Sequence, residues 1–290
     1  MNNNLKAIWA VSLGFFFFSL SDVLAKTLVQ TYPPLMILFF SNLCVLVLSV
    51  FYGFFDGGRY FFKTKNLKWL VLRGFSGLCT GCLVVYSLRT ISLDVFYTMI
   101  FLAPLWVTLL GKFFLGDKIG WQRLAAIMFG FTVIIYIFRP SSDIFETDAL
   151  LVLIASFSFA VAMFSVRAMK TKDHPALLAL CYPLVVLVAL LPVLLWQDMF
   201  VSMAMFDVFK ILGNGAVVMI GLILTALGFQ KASASSVVAP FHYTQIIWGV
   251  VFGYLIFGDT PSTEIIIGAG LLIISGIYLI QFEKKNKDKI

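Results

Sequence analysis

Apolar residues in this chain fall in long unbroken blocks, and the polar ones collect in short gaps between them. Ten blocks can be drawn, at about 5–25, 35–55, 69–88, 93–115, 119–138, 148–168, 176–196, 208–229, 235–257 and 262–282. Each is close to the ~20 residues that carry a helix across ~30 Å of hydrocarbon at 1.5 Å per residue. No stretch alternates with period two, so the pattern predicts helices and not a membrane barrel. The gaps carry turn chemistry: Tyr32-Pro33-Pro34, Asp56-Gly57-Gly58, Arg139-Pro140-Ser141-Ser142, His174-Pro175 and Thr260-Pro261-Ser262. Proline suits a first helical turn, where its missing N–H has no partner in any case. The longest polar stretch, Phe55 to Lys68, is too short for a folded module, and its Phe61-Phe62 pair predicts a piece lying along the membrane interface.

The blocks repeat. Trp106, Gly111, Gly116, Asp117, Ile135 and Tyr136 match Trp248, Gly253, Gly258, Asp259, Ile277 and Tyr278 at a shift of 142. Matches at a shift of 141 extend the register: Phe18 with Phe159, Lys26 with Arg167, Pro34 with Pro175, Gly74 with Gly215, and Ser92 with Ser233. Shared hydrophobicity alone does not keep one register along a whole chain. The echo predicts two units, 1–140 and 141–290, each with five helices. An odd helix number starts the second unit on the opposite face, so the units are expected to be inverted relative to each other.

Composition agrees. Hydrophobic residues make up 61% and charged residues 12%, about half the charged share of ordinary soluble domains. The expected fold class is an all-α integral membrane protein of ten transmembrane helices in two inverted five-helix repeats. When each Lys and Arg is assigned to the nearer face, Lys26, Arg89, Arg139 and Lys210 fall on one side and the remaining 17 of 21 on the other. The basic side holds both termini, which predicts cytoplasmic N- and C-termini in the cytoplasmic (inner) membrane of a cell. The net charge of +7 then reflects topology and contact with the lipid bilayer, not nucleic acid. Cys44, Cys79, Cys82 and Cys181 all lie inside blocks. The Cys79-Thr80-Gly81-Cys82 spacing lacks the second pair a metal site needs, so these thiols read as small packing groups. No cofactor or metal is expected.

Two segments carry a resemblance. Ala103-Pro104-Leu105 followed by Phe114-Leu115-Gly116-Asp117, and Ala239-Pro240-Phe241-His242-Tyr243 followed by Ile256-Phe257-Gly258-Asp259-Thr260-Pro261, resemble the drug/metabolite transporter superfamily, EamA-type branch. The likeness covers essentially the whole chain. It implies two inverted five-helix repeats and a central cavity lined by the third, fourth, eighth and ninth helices with the first and sixth. It also implies a small-molecule substrate: an amino acid, S-adenosylmethionine, a riboflavin-like compound or a drug. In that family the acidic residue after the glycine is usually Glu, whereas both copies here carry the shorter Asp. Physically, the Gly-Asp pair reads as a hairpin closure, with Gly forming a tight C-terminal turn and Asp capping the start of the next helix.

Polar residues at helical spacing mark candidate substrate contacts. Ser12, Phe15, Ser19, Asp22 and Lys26 form one stripe on the first helix. Asp22 is the carboxylate placed well within a block. Burying it in lipid would cost about 2.5–3.5 kcal/mol, so it is expected to face protein or water. Two readings stand for it: an i,i+4 pair with Lys26, or contact with a substrate or proton. On the ninth helix His242, Gln245 and Gly249 share a face, with Trp248 beside it. On the fourth, Tyr97, Phe101, Pro104 and Thr108 share one, with Trp106 near. On the third, Arg73, Ser76 and Thr80 align, Arg73 being read as an anchor at the inner interface. Gly77-x-x-x-Gly81 and Gly249-x-x-x-Gly253 are read as close helix contacts.

The candidate substrate-binding set is therefore Asp22, Tyr86, Tyr97, Trp106, His242, Tyr243, Gln245 and Trp248. Its aromatic members suit a ligand with a flat or apolar part, and Asp22, His242 and Gln245 suit polar or cationic groups. His174 falls in a loop and His242 stands alone. No nucleophile–base pair, metal cluster or phosphate-binding Gly-Lys loop can be assembled, which argues against an enzyme or an ATPase. The resulting expectation is a secondary or facilitated transporter of a small organic metabolite working by alternating access. The alternative is a membrane scaffold or assembly partner without flux; the expected partners are a small-molecule substrate and the lipid bilayer, with a second copy of the chain in a homodimer as a further candidate.

Overall fold

The computed structural model describes residues 3–90, 98–139, 147–169, 171–258 and 260–285. Helices run over Asn3–Val29 (α1), Pro34–Gly57 (α2), Leu67–Thr90 (α3), Ala103–Leu115 (α4), Trp121–Phe138 (α5), Thr147–Ala168 (α6), Pro175–Trp196 (α7) and Met205–Lys231 (α8). The ninth position, α9, is composite. It is an α turn over Ser235–Val238, a 3-10 turn over Ala239–Tyr243, an α-helix over Thr244–Phe252 and a π turn over Gly253–Phe257. Thr263–Lys285 forms α10. Among the described residues nine helices are long and apolar enough to cross a membrane, and the broken α9 is the tenth transmembrane element. The chain is an all-α membrane protein.

Local sequence explains the ends and breaks. Pro34 and Pro175 open α2 and α7 at their first turns, and His174 Nδ1 accepts from Ala176 N–H at 3.2 Å as a cap. Gly116 and Gly258 end their helices in the left-handed region, at φ 68° and 71°, which costs glycine nothing. Block 93–115 is not one uniform helix, because α4 proper starts at Ala103 after a turn at 101–102. Block 235–257 breaks at the 3-10 turn containing Pro240. Proline supplies no N–H to the carbonyl four residues back and crowds it, so each block bends there. The Phe55–Lys68 stretch contains a 3-10 turn over Gly58–Phe62, and of the Phe61-Phe62 pair Phe61 is buried beneath α2 while Phe62 is exposed.

Helix packing follows one rule. The chief pairings are α1 with α8, α3 with α6, α2 with α7, α2 with α8, α3 with α7, α1 with α9, α4 with α6, and α5 with α10. Exchanging each helix with the one five places along turns this set into itself. Matched residues pack alike: Phe16 meets Trp248 edge-on at 4.9 Å and 88°, and Phe157 meets Trp106 at 5.7 Å and 87°. These tryptophans are therefore anchors of the α1–α9 and α4–α6 contacts.

Three expectations are corrected. Arg73 is no interface anchor: it is 1% exposed, and its Nε and Nη1 donate to the carbonyls of Leu178 at 3.1 Å and Ala162 at 2.9 Å, tying α3 to α7 and α6. Gly249 and Gly253 make no close helix contact among the described residues, since a Cβ at either would meet none of them within 4 Å. Gly77, by contrast, does pack closely, against the Tyr182 ring of α7. Finally, Asp117 does not cap the next helix. Its Oδ2 accepts from Ser235 N–H at 2.7 Å, at the start of α9 in the other half of the chain.

Candidate functional site

The stripe predicted on α1 meets α9. Gln245 Nε2 donates to Asp22 Oδ2 at 2.8 Å, and Ser19 Oγ donates to the Gln245 carbonyl at 2.8 Å. The bond to the Gln245 carbonyl falls in the first turn of the α-helical piece that follows the 3-10 turn. One turn before Gln245 on α9 and one turn before Ser19 on α1, the His242 imidazole stacks on Phe15 at 4.3 Å and 17°, with Phe159 at 5.2 Å and Phe101 at 5.4 Å around it. One turn beyond Gln245 on α9, Trp248 lies against Phe16, six residues before Asp22 on α1. The Gln245 amide thus joins the Asp22 carboxylate to a helix whose neighbouring turns carry flat rings.

Asp22 does not pair with Lys26. The Lys26 ammonium lies 4.5 Å over the Phe257 ring, and the Asp22 carboxylate accepts from the neutral Gln245 amide. That disposes of the i,i+4 reading, whose attraction is worth only about 0.2–0.5 kcal/mol in any case.

Accessibility changes sharply along the two helices. On α1, Leu5, Ala7, Ile8, Val11, Phe15 and Ser19 are buried, whereas Asp22 is exposed. On α9 every residue from Ala234 to Tyr243 is buried, whereas Gly249, Val251 and Tyr254 to Ile256 are exposed. Because α1 and α9 both start on the face that holds the chain's N-terminus, their fully buried stretches lie toward that face and the exposed positions lie toward the other.

The remaining predicted residues separate. Tyr243 points away from His242: its hydroxyl donates to the Ile127 carbonyl at 3.3 Å, and its ring fills the notch left by Gly130 on α5. Trp106 belongs to the α4–α6 contact, where Nε1 donates to Ser156 Oγ at 3.2 Å. Tyr86 is 55% exposed near the end of α3, away from the α1–α9 contact. Tyr97 lies outside the described residues. The structure therefore brings together Asp22, His242, Gln245 and Trp248 from the predicted set. Sequence reasoning missed Phe16 and Phe159 among the flat rings. Both were legible only through the repeat register, Phe16 as the counterpart of Phe157.

Ten helices packed by a fivefold offset, with a polar pair exposed at one end of a break in a spanning helix, define a multi-pass membrane carrier. The EamA-like transporter family model matches residues 5–139 and again 147–282, and the chain belongs to that family. It is a transmembrane transporter of small molecules. Over its full length it is 25% identical to an S-adenosylmethionine uptake transporter of Rickettsia bellii, covering 99% of that protein. It is 26% identical to a riboflavin transporter of Vibrio cholerae over 97% of this chain and 94% of that one, and 24% identical to a pseudopaline exporter of Pseudomonas aeruginosa over 94% and 95%. A solved crystal structure superposes with a TM-score of 0.74 over 94% of both chains at 13% identity, which shows the same fold.

Proposed function

We propose that this protein is a secondary transporter that moves a small organic cation bearing a flat ring, by alternating access between two inverted repeats, 1–140 and 141–290. Both termini lie in the cytoplasm, and the protein sits in the cytoplasmic membrane. The fivefold offset in helix pairing and the 17-to-4 split of basic residues support this arrangement. In this orientation the fully buried stretches of α1 and α9 lie toward the cytoplasm.

The observation that carries the substrate reading is Asp22. An exposed carboxylate on a spanning helix, held by the neutral Gln245 amide, leaves a negative charge about 9–10 Å along α1 from the Phe15–His242 and Phe16–Trp248 ring pairs. A cation compensates that charge, and rings receive its flat part by stacking or cation–π contact. S-adenosylmethionine, which joins a sulfonium and an ammonium group to an adenine ring, fits this chemistry. Relatives named for its uptake match the whole chain. Riboflavin lacks the cation, so the same residues disfavour it.

Uptake of radiolabelled S-adenosylmethionine into liposomes holding the purified protein tests the reading. Uptake is expected with the unaltered chain and is expected to fall with Gln245→Ala, which removes the amide that positions Asp22. No uptake above empty liposomes, with folded protein, overturns the assignment.

A further inference from the structure

The shut end is held by a continuous polar network that the substrate site does not use. Arg123 donates from Nε and Nη2 to Glu283 Oε1 at 2.8 and 2.7 Å, and Asn4 Nδ2 donates to Glu283 Oε2 at 2.8 Å. Asn4 Oδ1 accepts from Ser233 N–H at 3.0 Å, and the Ser233 carbonyl accepts from Arg167 Nη2 at 2.6 Å. The same Arg167 nitrogen lies 3.5 Å from Asp117 Oδ1, while Asp117 Oδ2 accepts from Ser235 N–H at 2.7 Å. The chain of contacts joins the starts of α1, α5 and α9 to the ends of α4, α6 and α10. Asn4 and Asp22 are eighteen residues apart on α1, so the network lies about 27 Å along that helix from the substrate pair.

Directly behind the network lies polar surface with nothing to bond. The hydroxyls of Thr108, Ser235 and Ser236 and the Gln230 amide nitrogen are buried without a hydrogen-bond partner among the described residues. Each such group costs free energy as long as it stays dry. A segment packed solely for stability would place apolar side chains there. A segment that is periodically wetted has reason to keep hydroxyls.

Gly111 is clasped at the same place: a Cβ there would lie 2.6 Å from Ser235 Oγ and 2.7 Å from Asp117 Oδ2.

We propose that Asp117, clamped between Arg167 and the first N–H of α9, is the latch of a gate. Together with the Glu283–Arg123 pair it holds the network face shut, and releasing it opens a hydroxyl-lined path past Thr108, Ser235 and Ser236. The proposal rests on the alternating-access reading above. Each carboxylate is met by a guanidinium from a different helix, so any separation of these ends breaks both pairs at once. Gly111 has a second role here: only glycine lets α4 approach Ser235 closely enough for Asp117 to reach its N–H.

Cysteine labelling tests the gate without any substrate. In a background with Cys44, Cys79, Cys82 and Cys181 replaced, Ser236→Cys reports on the shut path and Gly249→Cys, at an exposed position of α9, is the labelling control, both in nanodiscs with a membrane-impermeant maleimide. Asp117→Ala is expected to speed labelling of Ser236→Cys by roughly tenfold, the population change that follows loss of one charge-assisted hydrogen bond. Asp117→Asn, which keeps one acceptor for Ser235 N–H, should fall between, and Glu283→Gln should act in the same direction should Asp117→Ala fail to fold. Labelling of Ser236→Cys unchanged in Asp117→Ala and Glu283→Gln, with Gly249→Cys still reactive, overturns the gate. A responsive gate in a protein that moves no S-adenosylmethionine overturns the substrate reading alone.

Discussion

Asp22→Asn isolates the charge that the substrate reading depends on. Asn has nearly the shape of Asp and can still accept from Gln245 Nε2, so the 2.8 Å bond between α1 and α9 has a replacement. What disappears is one negative charge. A hydrogen bond to a charged partner contributes about 1.5–3 kcal/mol, and two unit charges 4 Å apart attract by about 4 kcal/mol at an effective dielectric constant near 20. The first range is the safer guide, because Asp22 is exposed. It corresponds to a loss of affinity of roughly tenfold to a hundredfold. The matched control is S-adenosylhomocysteine, which keeps the adenine, ribose and amino-acid parts but lacks the sulfonium charge. Titration calorimetry of detergent-purified protein with both ligands reads the difference. Asp22→Asn should weaken the sulfonium ligand by at least about tenfold relative to its effect on the thioether. Equal losses for the two ligands, or none for either, would refute the argument that Asp22 compensates the sulfonium.

Other consequences follow from the packing. Gly130→Val drives a side chain into the Tyr243 ring, and overpacking of this kind costs about 1–3 kcal/mol, which a lowered thermal unfolding midpoint in detergent would show. Arg73→Lys cannot reach the carbonyls of both Leu178 and Ala162 as the guanidinium does. It should destabilise by about 1.5–3 kcal/mol, read as a shifted midpoint with the substrate-binding constant of the surviving folded protein unchanged. A double-mutant cycle on Phe16→Ala and Trp248→Ala should give a coupling of about 0.5–1.5 kcal/mol. The cycle on the repeat-related pair, Phe157→Ala and Trp106→Ala, should give a similar value, because both pairs meet edge-on.

How much of this was legible in the sequence depends on the distance over which the deciding contact acts. The α1 stripe was readable because Phe15, Ser19 and Asp22 recur at the helical period, and all three do face α9. The ends of helices were readable from Pro34, Pro175, Gly116 and Gly258, since proline and glycine act through their own backbone. The partner of Asp22 was not readable: Lys26 is four residues away and Gln245 is 223 away, and only the fold brings the second one near. Neighbouring positions also part company. His242 and Tyr243 were taken as one set, yet adjacent residues on a 3-10 turn point about 120° apart, so one ring meets Phe15 and the other enters α5. Arg73 was misread because its place near the start of a block suggested an interface, whereas its depth is fixed by α6 and α7 closing over it. Asp117 was assigned to the nearest helix start, but the N–H it caps belongs to the other half of the chain.

The account's central claim is that one site is presented alternately to the two faces. Counterflow tests it most directly. Liposomes holding the protein and preloaded with unlabelled S-adenosylmethionine are diluted into a trace of labelled compound, with no ion gradient applied. A carrier that turns over with its site occupied should draw label inward to a transient internal excess over the outside concentration, and Gly111→Val, which forces α4 away from Ser235, should abolish that overshoot. Label that merely equilibrates, or that fails to enter, would contradict the claim.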